Sequence, residues 1–130
     1  LSQVSYFAED IFEVDLDGKY DAAVSNGLNI YLETNLQVKN FYQIISKSLK
    51  KSGVLISSFI NDISAVDTAT IDRSDMRFSK EIFVDLLDIG WKKTHLENEF
   101  VEILKSCDFK IKEIIYDKHK MFPTVIATKE

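Results

Sequence analysis

The densest group of chemically capable residues is acidic. Glu13, Asp15, Asp17 and Gly18 fall on the first, third, fifth and sixth positions of a calcium-binding loop. Calcium needs a bidentate glutamate at the twelfth position, where this chain has Val24, so an acidic turn is expected instead. His95 and His119 lie far apart, and neither has a cysteine, histidine or acid cluster at ligand spacing. Surface or helix-end positions are expected for both, and no metal centre. Cys107 is the only cysteine and sits in an apolar helical stretch, which suits a small buried hydrophobe better than a nucleophile and excludes an intrachain disulfide. There remains Ser25-Asn26-Gly27-Leu28, a polar turn directly after the apolar run that begins at Tyr20. Open α/β sheets bind ligands at the carboxyl ends of their strands, which makes this turn the leading candidate site.

The elements that must position the turn follow from periodicity. Val4 to Phe7 is a short β-prone stretch, followed by the acidic segment Glu9-Asp10-Ile11-Phe12-Glu13 and a turn at Asp17-Gly18. Tyr20 to Ser25 does not alternate, as befits a strand buried on both faces. Val38, Phe41, Tyr42, Ile45 and Leu49 share one helical face behind an N-cap expected at Asn35, with a stop at Ser52-Gly53. Val54 to Phe59 is a second apolar run of strand length, and the three together make a βαβ unit.

Residues 61–75 are polar and patternless, a loop; Ile82, Phe83, Leu86 and Leu87 mark a short amphipathic helix ending near Gly90. Thr94 and Glu97 have the spacing of a capping box, ahead of a helix whose buried stripe is Leu96, Phe100, Ile103, Leu104 and Cys107. Two strands close the chain, Lys110 to Tyr116 and Thr124 to Thr128. Their link is too short for a parallel crossover, so they should pair antiparallel.

With 130 residues, 45% hydrophobic and 28% charged, the chain has the composition of one ordered globular domain. A net charge of -5 opposes the basic footprint of a nucleic-acid binder, whose affinity comes from lysine and arginine displacing counterions. No apolar run reaches the roughly 20 residues that span a bilayer, and Leu1-Ser2-Gln3-Val4 has no features of a secretory leader. A cytoplasmic location is expected.

This order of elements resembles the class I S-adenosylmethionine-dependent methyltransferases, and four segments resemble them in detail. Phe7-Ala8-Glu9-Asp10-Ile11 is similar to the end of their third strand with its acidic residue, and Tyr20 to Leu28 to their fourth strand and following loop. Leu49-Lys50-Lys51-Ser52-Gly53-Val54-Leu55-Ile56 is similar to the "LKPGGxLV" segment entering the fifth strand, and Thr94 to Phe109 to the helix before the final hairpin. The resemblance implies an α/β, Rossmann-like three-layer fold, mostly parallel, with an antiparallel C-terminal hairpin. Residues 1–130 then form one partial methyltransferase domain, in which 60–93 is a loop and short helix, a candidate substrate-side insertion.

The same resemblance implies roles. Asp10 would accept a hydrogen bond from the adenine amine of S-adenosylmethionine, beside the backbone amide of Ile11. Ser25, Asn26, Gly27 and Leu28 would line the cofactor's methionine part, with Asn29 and Tyr31 continuing to the substrate side. Phe78, Phe83 and Trp91 stand where family members often build a substrate cover, although such aromatics are more often plain core. Methyl transfer is an in-line displacement that alignment alone can carry, so positioning residues are expected and no catalytic acid, base or triad. The loop lacks the Asn-Pro-Pro-Tyr pattern of enzymes that methylate nucleic-acid bases, which favours a small-molecule acceptor.

The family's GxGxG-like loop has no counterpart, since Gly18, Gly27, Gly53 and Gly90 are isolated. The chain is therefore expected to be the C-terminal portion of such an enzyme, beginning downstream of the loop and binding cofactor weakly or not at all. Its open sheet edge would invite a homodimer. The competing expectation is a non-enzymatic remnant serving as a scaffold or dimerisation module. An NAD-dependent oxidoreductase ranks last, because it needs the same missing loop and leaves the antiparallel end unexplained.

Overall fold

In the computed structural model, strand β1 (Tyr20–Asn26) and strand β2 (Leu49–Ser58) lie parallel and are joined through helix α1 (Asn35–Ser48). Helix α2 (Glu97–Lys105) leads into an antiparallel hairpin of β3 (Phe109–Ile115) and β4 (Thr124–Lys129). The sheet order is β1-β2-β4-β3, so β4 inserts antiparallel between β2 and its hairpin partner. The fold is α/β with the expected antiparallel end, and its four described strands form a mixed sheet holding one parallel pair. The structure describes residues 4–16, 18–72, 74, 77–78, 81–86, 90 and 92–130.

Pleating assigns alternate residues to opposite faces. Leu55 and Ser57 of β2, Val125 and Ala127 of β4 and Phe109 of β3 turn toward the helices and are buried. They meet Val38, Phe41, Tyr42 and Ile45 of α1 and Phe100 and Leu104 of α2 in one core. Phe100 is its centre: its ring stacks on Phe59 at 4.3 Å between centroids and meets Tyr42 edge-on at 5.5 Å. Cys107 is buried as expected, and burial pushes its thiol pKa up, away from thiolate chemistry. The opposite face carries Val24, 72% exposed, and Ile56, 37% exposed.

Several boundaries differ from expectation for local reasons. Helix α1 is capped by Thr34, not Asn35: the Thr34 hydroxyl accepts from the Gln37 amide, and the Gln37 side chain accepts in return from the Thr34 amide at 3.0 Å. The helix ends at Ser48, and β2 begins at once with the fully buried Leu49. Ser52 takes a left-handed φ of 63°, and a side chain at Gly53 would sit 2.9 Å from the Lys50 carbonyl oxygen, so the expected stop signal shapes the start of β2.

The Thr94–Glu97 box does not form. Helix α2 starts at Glu97 behind Leu96, which makes no side-chain cap, because Thr94 lies in a segment already tied elsewhere by its neighbours' backbone. Val4 to Phe7 lies outside any strand, and Tyr6 is 90% exposed; a strand needs a ladder partner, and none is present among the described residues. The loop expected over 61–75 contains 3-10 turns at Ile63–Ala65 and Thr68–Thr70, and the short helix expected next is a π-helical stretch, Glu81–Leu86.

Candidate functional site

The carboxyl ends of β1 and β2 make one rim. Asn26 ends β1, and Gly27, with φ 91°, reverses the chain in a conformation that side chains rarely adopt. A 3-10 turn, Leu28–Tyr31, follows. Across the rim, Ser58 ends β2 and its hydroxyl donates to Asn26 Oδ1 at 2.7 Å, which ties the two strand ends together.

Residues 92–95 tie the two sides of the rim by backbone bonds. The amides of Lys92 and Lys93 both donate to the Ile30 carbonyl, at 2.9 and 3.1 Å, and the His95 amide donates to the Ile60 carbonyl at 2.9 Å. The Lys92 ammonium also reaches Glu33 at 2.6 Å and holds that carboxyl below its ordinary pKa. A hollow of about 200 Å³ lies at the rim. Its apolar lining comes from Ile30, Phe59, Ile60 and Phe122, its polar wall from Asn26 and Ser58, and Tyr31 and the Gly27 backbone complete it. A second hollow of about 250 Å³ opens on the uncovered sheet face between Val24, Ile56 and Thr124, and it shares the Asn26–Ser58 pair.

The candidate residues divide accordingly. Asn26, Gly27 and Tyr31 line the first hollow, while Leu28 is 44% exposed beside it. Ser25, buried beside Ser57, lines the second hollow and not the first. Asn29 is fully buried and lines neither hollow. Asp10 is exposed in a turn of its own, where its carboxylate accepts from the Phe12 amide at 2.9 Å, and Ile11 packs against the core. Trp91 lies outside the described residues. Phe78 is 64% exposed, neither core nor lining.

Of the surface and helix-end positions expected for it, His95 takes the second, one residue ahead of the Leu96 N-cap of α2, and it is buried. It is 1% exposed, with its ring 5.4 Å from that of Phe100. Burial, helped by the Lys93 cation and opposed by Glu99, lowers its pKa to about 4. Neither ring nitrogen has a partner among the described residues, and the same holds for Ser25 Oγ, both amide atoms of Asn29 and Asn61 Oδ1. Sequence reasoning missed the burial of His95 because a lone histidine before a helix carries no spacing signal. No group of acids, histidines or cysteines suited to a metal occurs among the described residues, and no helix among them is long and apolar enough to cross a membrane.

Among solved structures, the chain is similar to a possible exported protein of Bordetella parapertussis, at 28% identity and a TM-score of 0.88 over 98% of this chain and 45% of that one. It is also similar to the N-methyltransferase NodS of Bradyrhizobium japonicum with bound S-adenosylhomocysteine, at 16% identity and a TM-score of 0.63, covering 99% of this chain and 56% of that one. The magnesium protoporphyrin IX methyltransferase of Synechocystis matches at 18% identity and a TM-score of 0.59, over 94% and 49%. The chain has the class I methyltransferase fold.

In this methyltransferase fold the chain spans about half the length of the solved structures it matches. No family model matches the sequence, and no curated protein matches it. The resemblance read from sequence segments is thus borne out by the path of the backbone, at identities where residue-level comparison has little to hold.

Proposed function

We propose that these 130 residues form the acceptor-side half of an S-adenosylmethionine-dependent methyltransferase acting on a small molecule in the cytoplasm. The observation that carries the reading is the rim itself: a hollow at the carboxyl ends of two parallel strands, on a turn built from Asn26 and Gly27. The solved relatives named for methyl transfer support the general chemistry.

The residues present fit part of the cofactor. The Asp10 carboxylate already accepts one amide and keeps lone pairs for a further donor such as an adenine amine. The left-handed Gly27 lets backbone approach a ligand without a side chain between them, its nearest neighbour there being Ile30 Cδ1 at 3.6 Å. A glycine-rich cradle is absent from the sequence, so these groups account for the two ends of the cofactor and not its middle. When bound, the cofactor would supply an electrophilic methyl group. The chain's own part would be to orient an acceptor at the Asn26–Ser58 wall and to keep water out with Phe59, Ile60 and Phe122.

Titrating S-adenosylhomocysteine into isotopically labelled protein tests the reading. Weak, saturable shifts are expected at the amides of Ile11, Gly27 and Leu28. Shifts confined elsewhere overturn the cofactor reading, and micromolar binding overturns the idea that a further cradle is required. The second reading, a scaffold or homodimerisation module, is favoured by the uncovered sheet face with Val24 and Ile56, and sedimentation against concentration tests it.

A further inference from the structure

The rim hollow limits what its occupant can be. We propose that it takes a neutral, flat molecule of one or two rings, with a hydrogen-bonding edge turned to Asn26 and Ser58. This rests on the reading of the rim as an acceptor site and adds the class of acceptor.

Size is the first constraint. About 200 Å³ lies below the roughly 300–1,000 Å³ of sites for drug-sized ligands, so the occupant is smaller than those. Charge is the second. No lysine, arginine, aspartate or glutamate among the described residues lines the hollow, and the nearby Lys92 and Glu33 satisfy each other. A carboxylate or ammonium seated among Phe59, Ile60 and Ile30 would lose its hydration with no counter-charge to replace it.

Shape is the third constraint. Phe122 and Tyr31, both half-exposed, offer ring faces on which planar molecules stack, over a floor closed by the buried Phe59 and Ile60. The polar wall then sets orientation. Because Ser58 donates its only hydroxyl proton to Asn26 Oδ1, it faces an occupant as an acceptor, while the Asn26 amide nitrogen remains a donor. Donor and acceptor side by side suit a phenol, a lactam or the N–H/N edge of a heterocycle.

The test uses 2-naphthol and 2-naphthoate, which share a ring system and differ in charge. In titrations of the labelled chain, naphthol is expected to shift the amides of Gly27, Tyr31, Ser58 and Phe122 and to saturate at about tenfold lower concentration than naphthoate. Tyr31→Lys, at a half-exposed position that folding tolerates, is expected to erase or reverse that preference. Equal or tighter binding of naphthoate to the unaltered chain overturns the proposal, as do shifts that map elsewhere or an absence of saturable shifts. Displacement of naphthol by S-adenosylhomocysteine also overturns it, by giving the hollow to the methyl donor. The two readings fail separately: S-adenosylhomocysteine shifts at Gly27 without naphthol binding sink this proposal alone, while naphthol binding with S-adenosylhomocysteine shifts confined away from Ile11, Gly27 and Leu28 sinks the cofactor reading and leaves the ligand class standing.

Discussion

The helix-covered face of the sheet and the rim at its carboxyl end treat buried polar groups in opposite ways. On the covered face the core is apolar, and its one large polar side chain, Tyr42, shares a 2.7 Å hydrogen bond with Ser57. At the rim, six buried side-chain atoms of Ser25, Asn29, Asn61 and His95 have no partner among the described residues. Folding alone does not select for unpaired buried polar atoms, each of which costs on the order of 1–3 kcal/mol. The difference teaches where buried polar groups go unmatched: buried side chains pair with each other in the body of the domain and not at the end that carries the proposed site.

The contrast can be attacked first from its stable side. Phe100→Ala removes the ring that joins Phe59, Tyr42 and His95, and urea unfolding should show a loss of about 3–5 kcal/mol. A loss under 1 kcal/mol would mean that the covered face is not the stabilising half.

Acid probes the rim. His95 titrates near 4 in the folded chain, whereas an unfolded histidine takes its proton near 6.5. The unfolded state therefore binds the proton first, so stability falls as pH drops from about 6.5 and levels off below about 4. The full change is roughly 3 kcal/mol. A urea midpoint that holds constant across that window would show the imidazole to be hydrated or paired.

Replacing the histidine sharpens the same point. His95→Leu should raise stability at neutral pH by about 1–2 kcal/mol, since it removes two unpartnered nitrogens at similar volume, and should abolish the acid slope. A loss instead would show that the nitrogens are engaged. The smallest effect belongs to Gly27→Ala: the added methyl has room, so the cost is that of a left-handed backbone alone, about 1 kcal/mol in thermal denaturation.

Much of the covered face was legible in the sequence. The spacing of Val38, Phe41, Tyr42 and Ile45 announced one buried stripe, and Phe100, Leu104 and Cys107 another, because helical periodicity records burial directly. The antiparallel hairpin followed from the length of its link. The rim was half legible: the polar turn at Ser25 to Leu28 could be placed at a strand end, yet nothing in the sequence distinguished Asn26, which lines the hollow, from Asn29, which is buried behind it. That distinction depends on the left-handed Gly27 between them, which reverses the chain ahead of the 3-10 turn, and not on composition. The missed cap at Thr34 and the false one at Thr94 have one cause. Both match the same pattern, and only tertiary hydrogen bonds to Ile30 and Ile60 decide that residues 92–95 stay extended past the second.

Those bonds also bear on motion. The turn after β1 and the segment after β2 are far apart in sequence, but Lys92 and Lys93 hold one through Ile30 while His95 holds the other through Ile60 and, by its own carbonyl, the Asp62 amide. Neither side can lift away from residues 92–95 without loosening the strap that fastens the other. Amide exchange is therefore expected to show both sides of the rim opening together as one cooperative unit.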